Sequence, residues 1–140
     1  MRILLAATTI VLLAFPMNAL AQDPGLPPEC VGHAGHDMAA EAMDMSMLPP
    51  GDAHKALAGG MDRMHADMMA GMTATDVDVA FVCGMIPHHQ GAIDMARAVI
   101  QYGDDAWTKE LAQQIITAQE AEIAAMKDWL KANAAGHDGH

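Results

Sequence analysis

Apolar positions along this chain follow two different rhythms. The first is a single run, Ile3 to Phe15, interrupted only by Thr8 and Thr9. Arg2 precedes it, and Ala19-Leu20-Ala21 follows with the small-residue form of a cleavage site. A run of about 13 residues falls short of the roughly 20 that a membrane span needs. Residues 1–21 are therefore expected to be a secretory signal peptide, removed at about Ala21 to leave a periplasmic or secreted protein. No later stretch is long and apolar enough to span a membrane.

The second rhythm is helical. From about Asp52 to Gly71, the residues His54, Leu57, Met61, His65, Met68 and Met72 fall within an arc of about 80° when successive residues are set about 100° apart, with Met64 at its edge. From about Asp76 to Tyr102, Phe81, Met85, His88, Ala92, Met95 and Val99 fall within an arc of the same width, and His89 flanks it. A third segment starts near Asp104 or Asp105 and ends around Asn133 to Gly136. Leu111, Ile115, Ile123, Met126 and Leu130 form its stripe, which Gln119 and Glu122 interrupt near the expected interior. No segment shows strand alternation, so the fold class is all-α. The short connections Met72–Thr75 and Gly103–Asp104 make neighbouring helices antiparallel. Local signals refine this picture. Gly59-Gly60 weaken the first helix, and Thr75 with Asp78 resembles a capping box. Pro87 predicts a kink or restart before the histidines, and Gly103 stops the second helix.

Outside these segments the rhythm is lost. Residues 22–50 hold Pro24, Pro27, Pro28, Pro49 and Pro50 and read as a disordered Met/His-rich arm, with one short helical piece around Met38 to Met47. The expected organisation is a signal peptide over 1–21, the arm over 22–50, a helical metal-binding domain over 51–134, and a His-containing tail over 135–140.

Composition narrows the function. The net charge is −11, and loss of Arg2 with the signal makes it −12. Nucleic acid and anionic lipid both demand a cationic footprint, so neither is an expected partner. The chain has 14 Met and 8 His among its 140 residues, but only 2 Cys. Met stripes at helical spacing are usually ordinary core, because the thioether fills irregular gaps. Here the methionines share their faces with His54, His65 and His88, and that conjunction favours a metal site. Met61-x-x-Met64-His65-x-x-Met68 and Met85-x-x-His88-His89 with Met95 each direct thioether and imidazole from one helix face. In an antiparallel hairpin the two faces are expected to confront each other. Imidazole suits copper or zinc, while thioether sulfur selects Cu(I). The candidate ligands are Met61, Met64, His65, Met68, Met85, His88, His89 and Met95. His88 and His89 point in different directions, so one is expected to ligate while the other hydrogen-bonds to Glu122 or Gln119.

Export bears on the cysteines, because disulfides persist outside the cytosol. Cys83 lies opposite His88 on its helix, away from the Met/His face, and a Cys30–Cys83 bridge is expected to tie the arm to that helix. The arm offers further soft donors in His33, His36, Met38, Met43, Met45 and Met47, and the tail offers His137 and His140. A weak capture site feeding the helical one is the corresponding hypothesis. Two other readings compete: a ferritin-like metalloenzyme such as an oxidase, and a structural or interaction module whose methionines only pack. Di-iron bundles use Glu-x-x-His motifs, which this chain lacks, so no enzymatic activity is expected.

The stretch Phe81-Val82-Cys83-Gly84-Met85-Ile86-Pro87-His88-His89-Gln90-Gly91-Ala92-Ile93-Asp94-Met95-Ala96 resembles the signature of the domain of unknown function 305 family. Those are exported bacterial proteins that include CopM-like periplasmic copper-binding proteins. Met64-His65 and the later Leu111-Ala112, Ile115-Ile116, Gln119, Glu122-Ile123, Met126 and Trp129-Leu130 extend the resemblance over about Asp52 to Leu130. It implies a ferritin-like helical bundle and a role in copper binding, homeostasis or resistance, or more generally in metal handling; another copper-handling protein is an expected partner. The resemblance carries site residues over at Met64, His65, Met68, Met85, His88, His89 and Met95.

Overall fold

The computed structural model describes residues 26–30 and 44–133. Residues 1–21, expected as a signal peptide, lie outside the described residues, as do most of the arm, the tail and the expected helical piece before Asp44. Four α-helices follow in order: α1 (Asp52–Ala58), α2 (Met61–Gly71), α3 (Val77–Tyr102) and α4 (Ala106–Asn133). Two single 3-10 turns, Pro28–Cys30 and Met45–Met47, precede them. No strand occurs among the described residues. The architecture is an all-α helical bundle, as the periodicity predicts. α3 is its centre, with α1 and α2 against one flank and α4 against the other. No helix among the described residues is long and apolar enough to cross a membrane.

The segment expected as one helix from Asp52 to Gly71 is two. It breaks at Gly59-Gly60, where two successive glycines each cost about 1 kcal/mol of helix stability relative to Ala. The break also suits a close approach, since a Cβ at Gly60 would lie 3.0 Å from Oδ2 of Asp94 on α3. Arg63, one turn on, donates from Nη2 to that same oxygen at 3.0 Å.

α3 starts one residue later than expected, and its cap is Asp76 rather than Thr75. The Asp76 carboxylate accepts from the backbone N–H of Asp78 at 2.9 Å and of Val79 at 3.0 Å. Either side chain can accept from the orphan donors, but the charged carboxylate also complements the positive end of the helix, which a neutral Thr hydroxyl does not. The far end stops at Gly103, whose N–H donates to Val99. Pro87 causes no restart, since α3 runs unbroken through it. The missing N–H at position 87 would have served the carbonyl of Cys83. The backbone of Gly71 closes against that carbonyl instead, so tightly that a Cβ there would lie 2.6 Å from its carbon and oxygen. Gly71→Ala is therefore expected to cost about 1–3 kcal/mol, the range for overpacking. Urea unfolding followed by circular dichroism measures it, and an unchanged midpoint would refute the close contact.

α4 begins at Ala106, where the Asp105 carboxylate accepts from the N–H of Thr108 at 2.8 Å. Its stripe contributes Ile123 and Leu130 to the core, with Ile116, Met126 and Trp129 beside them. Leu111 is not in that stripe. Adjacent helical residues diverge by about 100°, and here the smaller Ala112 is the one turned inward. Gln119 is half-buried, whereas Glu122 lies at the rim rather than inside. The rest of the core is Val79, Cys83, Ile86 and Ile93 of α3 together with Cys30. Cys30 and Cys83 form a disulfide with their Cα atoms 5.4 Å apart, which fixes the Pro28–Cys30 turn and Leu26 onto α3.

Candidate metal centre

The relation between α2 and α3 decides what the Met and His side chains can do together. A Cβ on Gly71 would strike Cys83, one on Gly84 would meet Met72, one on Gly91 would meet Met64, and one on Gly60 would meet Asp94. These four contacts define an antiparallel register. They set Met68 level with Pro87–His88, and Met61 level with Asp94–Met95. They also show which faces touch. The contact side of α3 runs through Gly84 and Gly91, one step round the helix from Met85, His88 and Met95. The two Met/His faces therefore do not confront each other. They lie side by side on one surface of the α2–α3 pair. The reason is steric: Gly71, Gly84 and Gly91 let the backbones approach, and the long side chains are displaced to the adjoining surface.

The eight candidate ligands divide accordingly. Met61, Met68 and Met85 are half-buried, whereas His65, His88 and Met95 are exposed. These six lie along the common surface, three from each helix. Met64 is packed over Gly91 on the contact side. His89 is buried and fully engaged. Its Nδ1 donates to the carbonyl of Met85 at 2.8 Å, and its Nε2 lies 2.7 Å from Oε2 of Glu122 on α4. Both ring nitrogens are thus taken by partners within the fold, which leaves neither free to hold an ion in this arrangement. It holds α3 to α4, and Glu122 is the partner it takes. His88, edge to face with His89 at 5.9 Å between ring centroids, points the other way into solvent.

Charge gathers beside the α2–α3 contact. Asp94 binds Arg63, receives a bond from Nε2 of Gln90 at 3.1 Å, and faces Arg97 at 3.6 Å. Arg97 in turn reaches Glu120 of α4 at 3.6 Å. A cavity of about 30 Å³ lies between α2, α3 and Leu26, lined by Arg63, Met64, Asp67, Gln90 and Asp94. That is about the space of a single water molecule.

The donor chemistry fits a soft ion better than zinc. Among the described residues no group of three or more His, Cys, Asp or Glu side chains converges to hold a metal. Both cysteines are spent in the disulfide. A metal bound on the common surface must therefore draw on thioether sulfur, which favours Cu(I). What the periodicity did not reveal is the small-residue line Gly84, Gly91 and Ala98, repeating every seven residues beside the Met/His stripe. That line was the available signal for the α2 contact.

No curated protein matches the chain. Residues 16–130 match the family described as Domain of unknown function (DUF305), a range that includes α1, α2, α3 and α4 as far as Leu130. The chain therefore belongs to that family.

Proposed function

We propose that this protein is an exported, CopM-like copper carrier that sequesters Cu(I) or hands it on to another copper-handling protein. The observation that carries the reading is the register of α2 and α3, which lines Met61, His65 and Met68 beside Met85, His88 and Met95 on one accessible surface. The work is coordination, not turnover. Thioether and imidazole match the softness of Cu(I), and their exposure suits an ion that must be released as well as held. The acidic balance of the chain, net −11, draws cations in by long-range attraction that salt screens. Export is supported by the signal-like residues 1–21 and by the disulfide, which persists in an oxidising compartment.

The test is a His65→Ala/His88→Ala variant that leaves His89 in place. Both replaced rings are exposed, so the helical circular dichroism should not change. Cu(I) affinity, measured by competition with a chromophoric chelator under reducing conditions, should fall by at least about tenfold, the scale on which partners around a metal site act. Unchanged affinity would exclude this surface as the site.

A further inference from the structure

The bundle has a covered back and a bare front. On the back, Leu26 and the bridged Cys30 lie over the core side of α3. On the front, α3 carries Phe81, Met85, His88, Ala92, Met95, Val99 and Tyr102, and the steps between them alternate strictly between four residues and three. That alternation is the spacing by which one helix seats against another in a coiled coil. Nothing among the described residues seats there: Phe81 is 65% exposed and Met95 45%. α4 continues the pattern with Trp107, Leu111, Gln114 and Ala118, and Trp107 is 67% exposed. His89 and Glu122 each lie one step round from these stripes, so the bond between them holds both stripes on the same side.

Charge and size identify what fits this front. None of its eleven residues is Asp, Glu, Lys or Arg, although the chain as a whole carries −11. It offers no charge to an acidic or basic partner, whereas an identical uncharged front meets it without repulsion, and every second copy has one. α3, with 26 residues, is about 39 Å long at about 1.5 Å per residue. The stripes span Phe81–Tyr102 on α3 and Trp107–Ala118 on α4, about 32 Å and about 17 Å, so at about 10 Å of width per helix the front measures about 500 Å², or about 1,000 Å² over two copies, the lower bound for a specific interface.

The middle of the α3 stripe falls beside Ala92, the smallest side chain along it, where two helices can approach most closely. We propose that two copies pair front to front about a two-fold axis at this point. An antiparallel pairing of α3 helices there sets His88 of each copy opposite Met95 of the other, with Met85 one turn from His88. Each copy thus completes the other's soft-metal site with one thioether. The metal half of this inference rests on the copper reading above, whereas the pairing itself does not.

The experiment uses the unaltered chain and three variants. Sedimentation equilibrium without metal should give the mass of two chains. Ala92→Glu sets two carboxylates across the axis and should give the mass of one chain with unchanged circular dichroism. Then His88→Ala and Met95→Leu chains are prepared separately and mixed. Each alone has lost both His88–Met95 pairs, while a mixed dimer regains one. The mixture should hold Cu(I) at least about tenfold more tightly than either parent. A single-chain mass for the unaltered protein, or a mixture no better than its parts, would overturn the inference. If the unaltered chain bound no Cu(I), the copper reading and the metal half would fall, and the mass would still decide the pairing.

Discussion

Replacing Cys30 and Cys83 together by Ala is expected to destabilise the fold by about 4 kcal/mol. The two residues are 53 apart, and in the chain-entropy model a cross-link closing a loop of that size removes about this much freedom from the unfolded chain. The folded side points the same way. Both cysteines are fully buried, and they sit among only a handful of large core side chains. Domains of this kind hold only about 5–15 kcal/mol in total, so the loss is a large share. It corresponds to a fall in Tm of about 15–30 °C for a domain of fewer than 100 residues. Urea and thermal unfolding of the variant beside the oxidised parent measure it. A loss under about 1 kcal/mol would mean that the bridge constrains little in the unfolded chain.

The second large effect is expected at Ile93. Its side chain is 1% exposed and belongs to the core cluster with Ile123 and Leu130 of α4. Ile93→Ala removes buried methyl groups and leaves a cavity that two long helices cannot easily collapse, which costs about 2–5 kcal/mol. Val77→Ala, at an exposed site on the same helix, should stay within about 0.5 kcal/mol. The contrast between the two in urea unfolding is the informative quantity. Equal effects would show that α3 is not anchored through Ile93.

The helices, their antiparallel order, the stop at Gly103 and the Cys30–Cys83 bridge were all legible in the sequence. Each follows from a local signal or from angular position: Cys83 lies opposite His88, so it had to face away from the Met/His stripe. The break at Gly59-Gly60 was visible only as a weakness. Whether two glycines bend or break a helix depends on what waits beside them, and Asp94 is far away in sequence. Thr75 and Asp76 are adjacent residues of capping type, and periodicity cannot choose between them. The candidate site was half legible. Helical arithmetic shows where a stripe points but not which side a neighbour covers. Met64 illustrates this: it stands at the edge of the Met/His arc and proves to be the side chain that fills the space over Gly91. His89 illustrates it again, because its neighbour Glu122 lies 33 residues away on another helix.

The Cys30–Cys83 bridge also closes a ring. Cys30 is joined covalently to α3, and α1 packs on α3 from Asp52 onward. Residues 31–51 therefore run between two fixed ends. They carry His33, His36, Met38, Met43, Met45 and Met47. Twenty-one residues at no more than about 3.5 Å each keep every one of these donors within about 40 Å of an anchor. Held on so short a tether, each has an effective concentration in the millimolar range near the helices, however dilute the protein is. Reducing one sulfur–sulfur bond would lower that concentration without altering a single ligand.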